Sequence, residues 1–181
     1  MDTVRDICRA IGSQIVDSAV CVETGCMYVL VSPEDEVHTT TNNIYEFVVS
    51  PHGILYSLDI DREHIVFAED FLGEVAPDTL CFIEGDSVDS LEKLSRDSRL
   101  TVDLLCLDSR EFDEDHMVRE YEAIKVRLHP SHHFVLVDDV HNPNSVKHKK
   151  MVPLLKSLGY AYIEVPTPTG MFVAAKGYDL P

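Results

Sequence analysis

Hydrophobic positions along this chain recur in two rhythms. Val4, Ile7, Cys8, Ile11 and Ile15 fall at helical spacing, which predicts one amphipathic helix within residues 1–17. After it, short apolar runs alternate with helix-like stretches. The runs cover residues 19–22, 53–58, 80–83, 102–107 and 134–137. Each is continuously hydrophobic, as a strand must be when helices cover both of its faces. Helices are predicted between and after them, near 41–50, 62–71, 87–97, 114–128 and 146–158. Strand and helix in strict alternation predict a doubly wound α/β architecture around a parallel sheet.

The C-terminus breaks this rhythm. Residues 160–165 read as a strand, Pro166, Thr167, Pro168, Thr169 and Gly170 as a turn, and 171–175 as another strand. A parallel crossover needs a dozen or more residues, so these two strands must be antiparallel. The expectation is a single domain over 1–181, with a seven-stranded, mostly parallel sheet closed by an antiparallel hairpin. That topology sets the chain apart from flavodoxin-like and plain dinucleotide-binding folds. No internal repeat or linker interrupts it. Residues 27–41 form a longer acidic insertion in which Pro33, Glu34, Asp35, Glu36, Val37 and His38 read either as a lid or as a solvated loop.

Charge narrows the partners. The 181 residues include 32 acidic and 15 basic side chains, for a formal net charge of -17. Such a surface repels the phosphates of nucleic acids and anionic lipids, so no nucleic acid or membrane partner is expected. The one concentrated basic stretch, Lys147, His148, Lys149 and Lys150, is too short to reverse this. A small-molecule or cationic partner fits better, and assembly into a homo-oligomer stays open. No apolar run reaches the roughly 18 residues of a membrane span. The first residues carry acids where a secretory signal carries bases, so a soluble, cytoplasmic protein is expected. Cys8, Cys21, Cys26, Cys81 and Cys106 make no CxxC pair and read as reduced, mostly buried small hydrophobes.

The candidate chemistry lies at the strand ends, where doubly wound sheets bind their ligands. An acid follows nearly every parallel strand: Glu23, Asp59, Asp86, Asp108, and the pair Asp138 and Asp139. Any one of these could be a helix cap; five along one sheet edge suggest a site. The first turn, from Glu23 through Thr24 to Gly25, holds a single glycine where a dinucleotide site needs several to approach a pyrophosphate. A rim of carboxylates suits a cationic ligand instead. Asp59 is placed to accept hydrogen bonds from a ribose diol.

These motifs, in this order and with the closing hairpin, resemble the motif series of class I S-adenosylmethionine-dependent methyltransferases. The resemblance runs from about residue 18 onward and is nearest to the metal-dependent O-methyltransferases of the catechol and macrocin/mycinamicin kinds. It implies a Rossmann-like fold and transfer of a methyl group to a small hydroxylated acceptor. It implies Glu23 and Gly25 beneath the methionine part of the cofactor, and Asp59 on the ribose. It implies Asp86 and Ser87 beside the adenine, with Thr24, Ile60 and Asp108 in the same cofactor-binding set. Asp108, Asp138 and Asp139 fall where that family holds a divalent cation, and oxygen-only ligands point to magnesium. His141 falls at the macrolide-sugar enzymes' general base, with Asp138 as its catalytic companion. Bland readings stand beside these: Asp138 as a helix cap, His141 as a surface histidine, Asn142 and Asn144 as turn formers, Tyr28 and Tyr45 as core. Against the methyltransferase reading stand two others. One is a scaffold of the same fold that binds cofactor without turnover, in line with the depleted glycine loop. The other is a different enzyme on this scaffold, such as a hydroxylase.

Overall fold

The computed structural model describes residues 3–15, 18–26, 40–49, 53–72, 78–109 and 112–181. Helix α1 (Val4–Gly12) opens the chain. Thr3 caps it by accepting from the Asp6 amide, which satisfies one of the donors a helix start leaves free. Its Val4, Ile7, Cys8 and Ile11 are buried, the stripe expected from their spacing. Then come β1 (Val20–Thr24), α2 (Thr40–Phe47), β2 (Ile54–Asp59), α3 (Arg62–Leu72), β3 (Leu80–Glu84), α4 (Ser87–Leu94) and β4 (Leu104–Leu107). They are followed by α5 (His116–Ile124), β5 (His133–Asp138), α6 (His148–Ser157), β6 (Ala161–Val165) and β7 (Met171–Lys176).

The seven strands form one sheet in the order β3-β2-β1-β4-β5-β7-β6. The first five are parallel, and β7 runs antiparallel to both β5 and β6. The chain begins in the middle of the sheet, builds outward to β3, and returns across β1 to β4. That reversal opens a crevice at the carboxyl ends of β1 and β4, where such sheets bind ligands.

Side-chain alternation sends successive strand residues to opposite faces. Cys21, Leu55, Leu104, Cys106, Phe134 and Leu136 pack against α1 and α2. Val22, Leu105, Leu107, Val135 and Val137 pack against α4, α5 and α6. Both faces are dry, which is why these strands read as unbroken apolar runs.

Several expected elements differ in extent: the helices predicted over 41–50 and 87–97 end at Phe47 and Leu94. The strand predicted from Val102 begins at Leu104, with Val102 held only by an isolated bridge to Leu128. The helix predicted over 114–128 ends at Ile124 and tightens into a 3₁₀ turn over Lys125–Arg127. Of the acidic segment 27–41, only Thr40 and Thr41 are described, and they open α2. The expected lid and Tyr28 lie outside the described residues. Tyr45 packs partly buried against the core, as expected. All five cysteines are free; four are buried and Cys81 is half-buried. No described helix is long and apolar enough to cross a membrane.

Candidate functional site

A cleft of about 370 Å³ opens at the carboxyl edge of the sheet. Its lining includes Gly25, Asp59, Ile60, Asp86, Ser87, Asp108, Asp138 and Asp139, eight of the residues singled out from the sequence. Five carboxylates therefore face one concave space. Cys26, His64, Gly85, Ser109, His116 and Thr169 line it as well.

The tip of β1 forms the floor. Glu23 and Thr24 are fully buried, beneath the cleft rather than in its wall. Ser57 donates to Glu23 Oε2 at 2.9 Å. Burial pushes the Glu23 carboxyl up to about 7, against hydrogen bonds from Thr41 and Ser57 that favour its ionised form. Gly25 then turns the chain with φ +83°. A side chain there would bring its Cβ to 2.6 Å from the Asp108 carbonyl oxygen, so β1 and β4 approach this closely only because the residue is glycine.

Asp59, at the tip of β2, is already an acceptor. The Cys26 amide donates to Oδ2 (3.1 Å), the Asp61 amide donates to Oδ1 (2.8 Å), and His64 Nδ1 lies 3.3 Å from both oxygens. These contacts fix its orientation at the cleft wall. Beyond β3, Asp86 is the N-cap of α4, its Oδ1 accepting from the Val88 and Asp89 amides. The capping reading and the cleft-lining reading hold for this one residue together.

Behind Ser87 lies a buried polar network that the sequence reading missed. Ser87 and Ser109 each donate to Glu120 Oε1, both at 2.5 Å. Arg119 donates to His116 Nδ1 at 3.3 Å, which leaves the ring proton on Nε2, 3.0 Å from Ser87 Oγ. Glu120 is fully buried and His116 nearly so. The signal available was the i, i+4 spacing of His116 and Glu120, which puts both on one face of α5.

Neighbouring strands β4 and β5 pair Leu107 with Val137, so Asp108 and Asp138 come next, side by side. Between Asp108 and Asp139 sits the ammonium of Lys147. Its Nζ is 2.6 Å from Asp108 Oδ1 and 2.8 Å from Asp139 Oδ2, and the side chain is fully buried. Burial alone would lower the Lys147 pKa, but Asp108 and Asp139 outweigh it and hold the group above the ordinary lysine value. Asp138 Oδ1 accepts from the Asp139 amide (2.8 Å) and Thr169 Oγ1 (3.3 Å). Burial, and then the charge of Asp139, push its carboxyl up to about 6.

The sequence reading expects magnesium on Asp108, Asp138 and Asp139. Among the described residues no group of three His, Cys, Asp or Glu side chains is arranged to hold a metal ion. The Lys147 ammonium lies between two of the three carboxylates expected to hold the ion. Lys147 was visible in the sequence only as part of a short basic stretch. His141, expected as the general base, is not among the residues that line the cleft. His141 is half exposed, its Nε2 lies 3.5 Å from Glu164 Oε2, and its ring packs over Gly170 rather than lining the cleft. Its amide is tied to the Thr169 carbonyl, which anchors it along the closing hairpin. Asn142 accepts from the Asn144 amide and makes the turn.

Sequence comparison matches neither a protein-family model nor a curated protein. Comparison of structures does find relatives in shape. The O-methyltransferase from Bacillus cereus in complex with SAH matches with a TM-score of 0.70 at 13% identity, over 96% of this chain and 78% of that one. The O-methyltransferase TomG from Streptomyces achromogenes, involved in tomaymycin synthesis and complexed with SAM, matches with a TM-score of 0.70 at 14% identity, over 97% and 78%. The fibrillarin pre-rRNA processing protein of Methanococcus jannaschii matches with a TM-score of 0.60 at 15% identity, over 95% and 74%. The chain therefore has the seven-stranded, Rossmann-like fold that the O-methyltransferases among these proteins share.

Proposed function

We propose that this protein is an S-adenosylmethionine-dependent methyltransferase acting on a small hydroxylated acceptor. One observation carries the reading. The crevice at the topological switch point is walled by five carboxylates and has a single-glycine first turn, so it suits a cationic nucleoside and repels a pyrophosphate. The neighbours complexed with SAH and SAM share this fold, which supports the same choice.

S-adenosylmethionine would supply a methyl group on a positively charged sulfur. The residues of the chain do the rest. Asp59, held by Cys26, Asp61 and His64, accepts from the ribose hydroxyls. Ser87, fixed by Glu120 and His116, borders the adenine side, with Ile60 over the cleft. Glu23 and Thr24 hold the floor on which Gly25 turns. Asp138 would take the acceptor's proton as the acceptor oxygen receives the methyl group, with S-adenosylhomocysteine as the leaving product. A carboxyl near 6 is ionised at neutral pH and still basic enough for that role. His141 stands outside the cleft and is given no part in it.

Calorimetry with S-adenosylhomocysteine tests the cofactor half without knowing the acceptor. The unmutated protein should bind it. Asp59→Ala should weaken binding by about 1.5–3 kcal/mol, the range for hydrogen bonds to a charged group. Absence of binding to the unmutated protein, or tighter binding of a dinucleotide, would overturn the reading.

A further inference from the structure

We propose that Lys147 is the resident cation of this site, and that its ammonium takes the place of a divalent metal at Asp108 and Asp139. Placing it there has a cost that ordinary folding would avoid. Lys147 is the N-cap residue of α6, where a positive charge opposes the helix dipole. Its whole side chain is buried, and a buried lysine is retained only when paired. The backbone is also bent to bring the partners together. Asp139 is the one non-glycine among the described residues with a positive φ, at 62°. That left-handed conformation is uncommon outside glycine, though Asp enters it more readily than most residues with a Cβ. From there the chain folds straight back: the Asn142 amide donates to the Asp139 carbonyl and the Ser145 amide to the Asn142 carbonyl. These turns return Lys147 to the strand tip the chain has just left. Its Nζ then meets Asp108 Oδ1 and Asp139 Oδ2, with the Asp108 carbonyl oxygen at 3.4 Å.

A magnesium or manganese ion ligated by these carboxylates needs their oxygens at about 2.0–2.2 Å. The ammonium fills that position, and a second cation beside it meets direct repulsion. One positive charge against three acids still leaves the cleft electronegative, which favours a sulfonium ligand. The assignment rests on the methyltransferase reading only for this last point; the metal titration below stands apart from it.

Manganese is the probe, followed by electron paramagnetic resonance and by calorimetry. The unmutated protein should show no stoichiometric Mn²⁺ binding at millimolar ion, and its affinity for S-adenosylhomocysteine should be the same in excess chelator and in excess Mg²⁺. Lys147→Ala frees Asp108 and Asp139 from their ammonium, beside Asp138, and should gain Mn²⁺ affinity by roughly tenfold or more, because ligand charge sets affinity at oxygen sites. Stoichiometric Mn²⁺ binding by the unmutated protein that Asp139→Asn abolishes would overturn the proposal. So would a folded Lys147→Ala variant with no gain. Should Lys147→Ala fail to fold, the titration of the unmutated protein decides. Failure of S-adenosylhomocysteine to bind would sink the proposed function and leave the metal result standing.

Discussion

Glu23 makes the sharpest stability experiment. It sits wholly inside the protein between β1, β2 and α2, with Ser57 as donor and the charges of Asp59 and Asp138 nearby. Burial raises its carboxyl from the usual 4.5 to about 7. The folded state therefore holds a proton that the unfolded state releases, so this group's contribution falls as pH rises from 4.5 through about 7. At 1.36 kcal/mol per tenfold, the full cost above that range is about 3 kcal/mol. Between about pH 5.5 and about pH 8.5 the change amounts to about 2 kcal/mol. Glu23→Gln keeps an acceptor for Ser57 and removes the ionisation. Urea unfolding followed by circular dichroism, run on both proteins at both pH values, isolates the term because the other acids titrate alike in each. The variant should gain about 2 kcal/mol on the unmutated protein as pH rises. A difference between the two that does not move with pH would refute the reasoning.

Two further outcomes are expected. Gly25→Ala combines a positive φ with a Cβ 2.6 Å from the Asp108 carbonyl oxygen, so it should lose about 1–3 kcal/mol in the same unfolding assay and weaken S-adenosylhomocysteine binding by calorimetry. Tyr160→Phe removes the hydroxyl that joins His133 Nε2 (2.6 Å) to the Tyr121 hydroxyl (3.1 Å); with two buried groups left short of a partner, it should cost about 1–3 kcal/mol and leave cofactor binding intact.

The alternation of apolar runs with helical spacing determined most of the fold by itself. A buried parallel strand must be apolar on both faces and a surface helix on one, and each need is local enough to be written in neighbouring residues. The hairpin of β6 and β7 was legible for the same reason, since the turn from Pro166 to Gly170 is too short for any crossover. The acids at the strand tips were legible as positions, because strand ends and the ligand edge coincide in such sheets. Their partners were not. Lys147 meets Asp108 across 39 positions and Glu120 meets Ser87 across 33, and no local pattern marks such pairings. His141 shows the converse: a suitable residue type at a suitable spacing, which the fold sets beside Glu164 and Gly170 rather than among the cleft-lining residues. Spacing along the chain set which residues could reach the sheet edge. Only the close approach of β4, β5 and the start of α6 decided that the charge among those acids is a lysine, because ion pairing inside a fold depends on distances that sequence order does not contain.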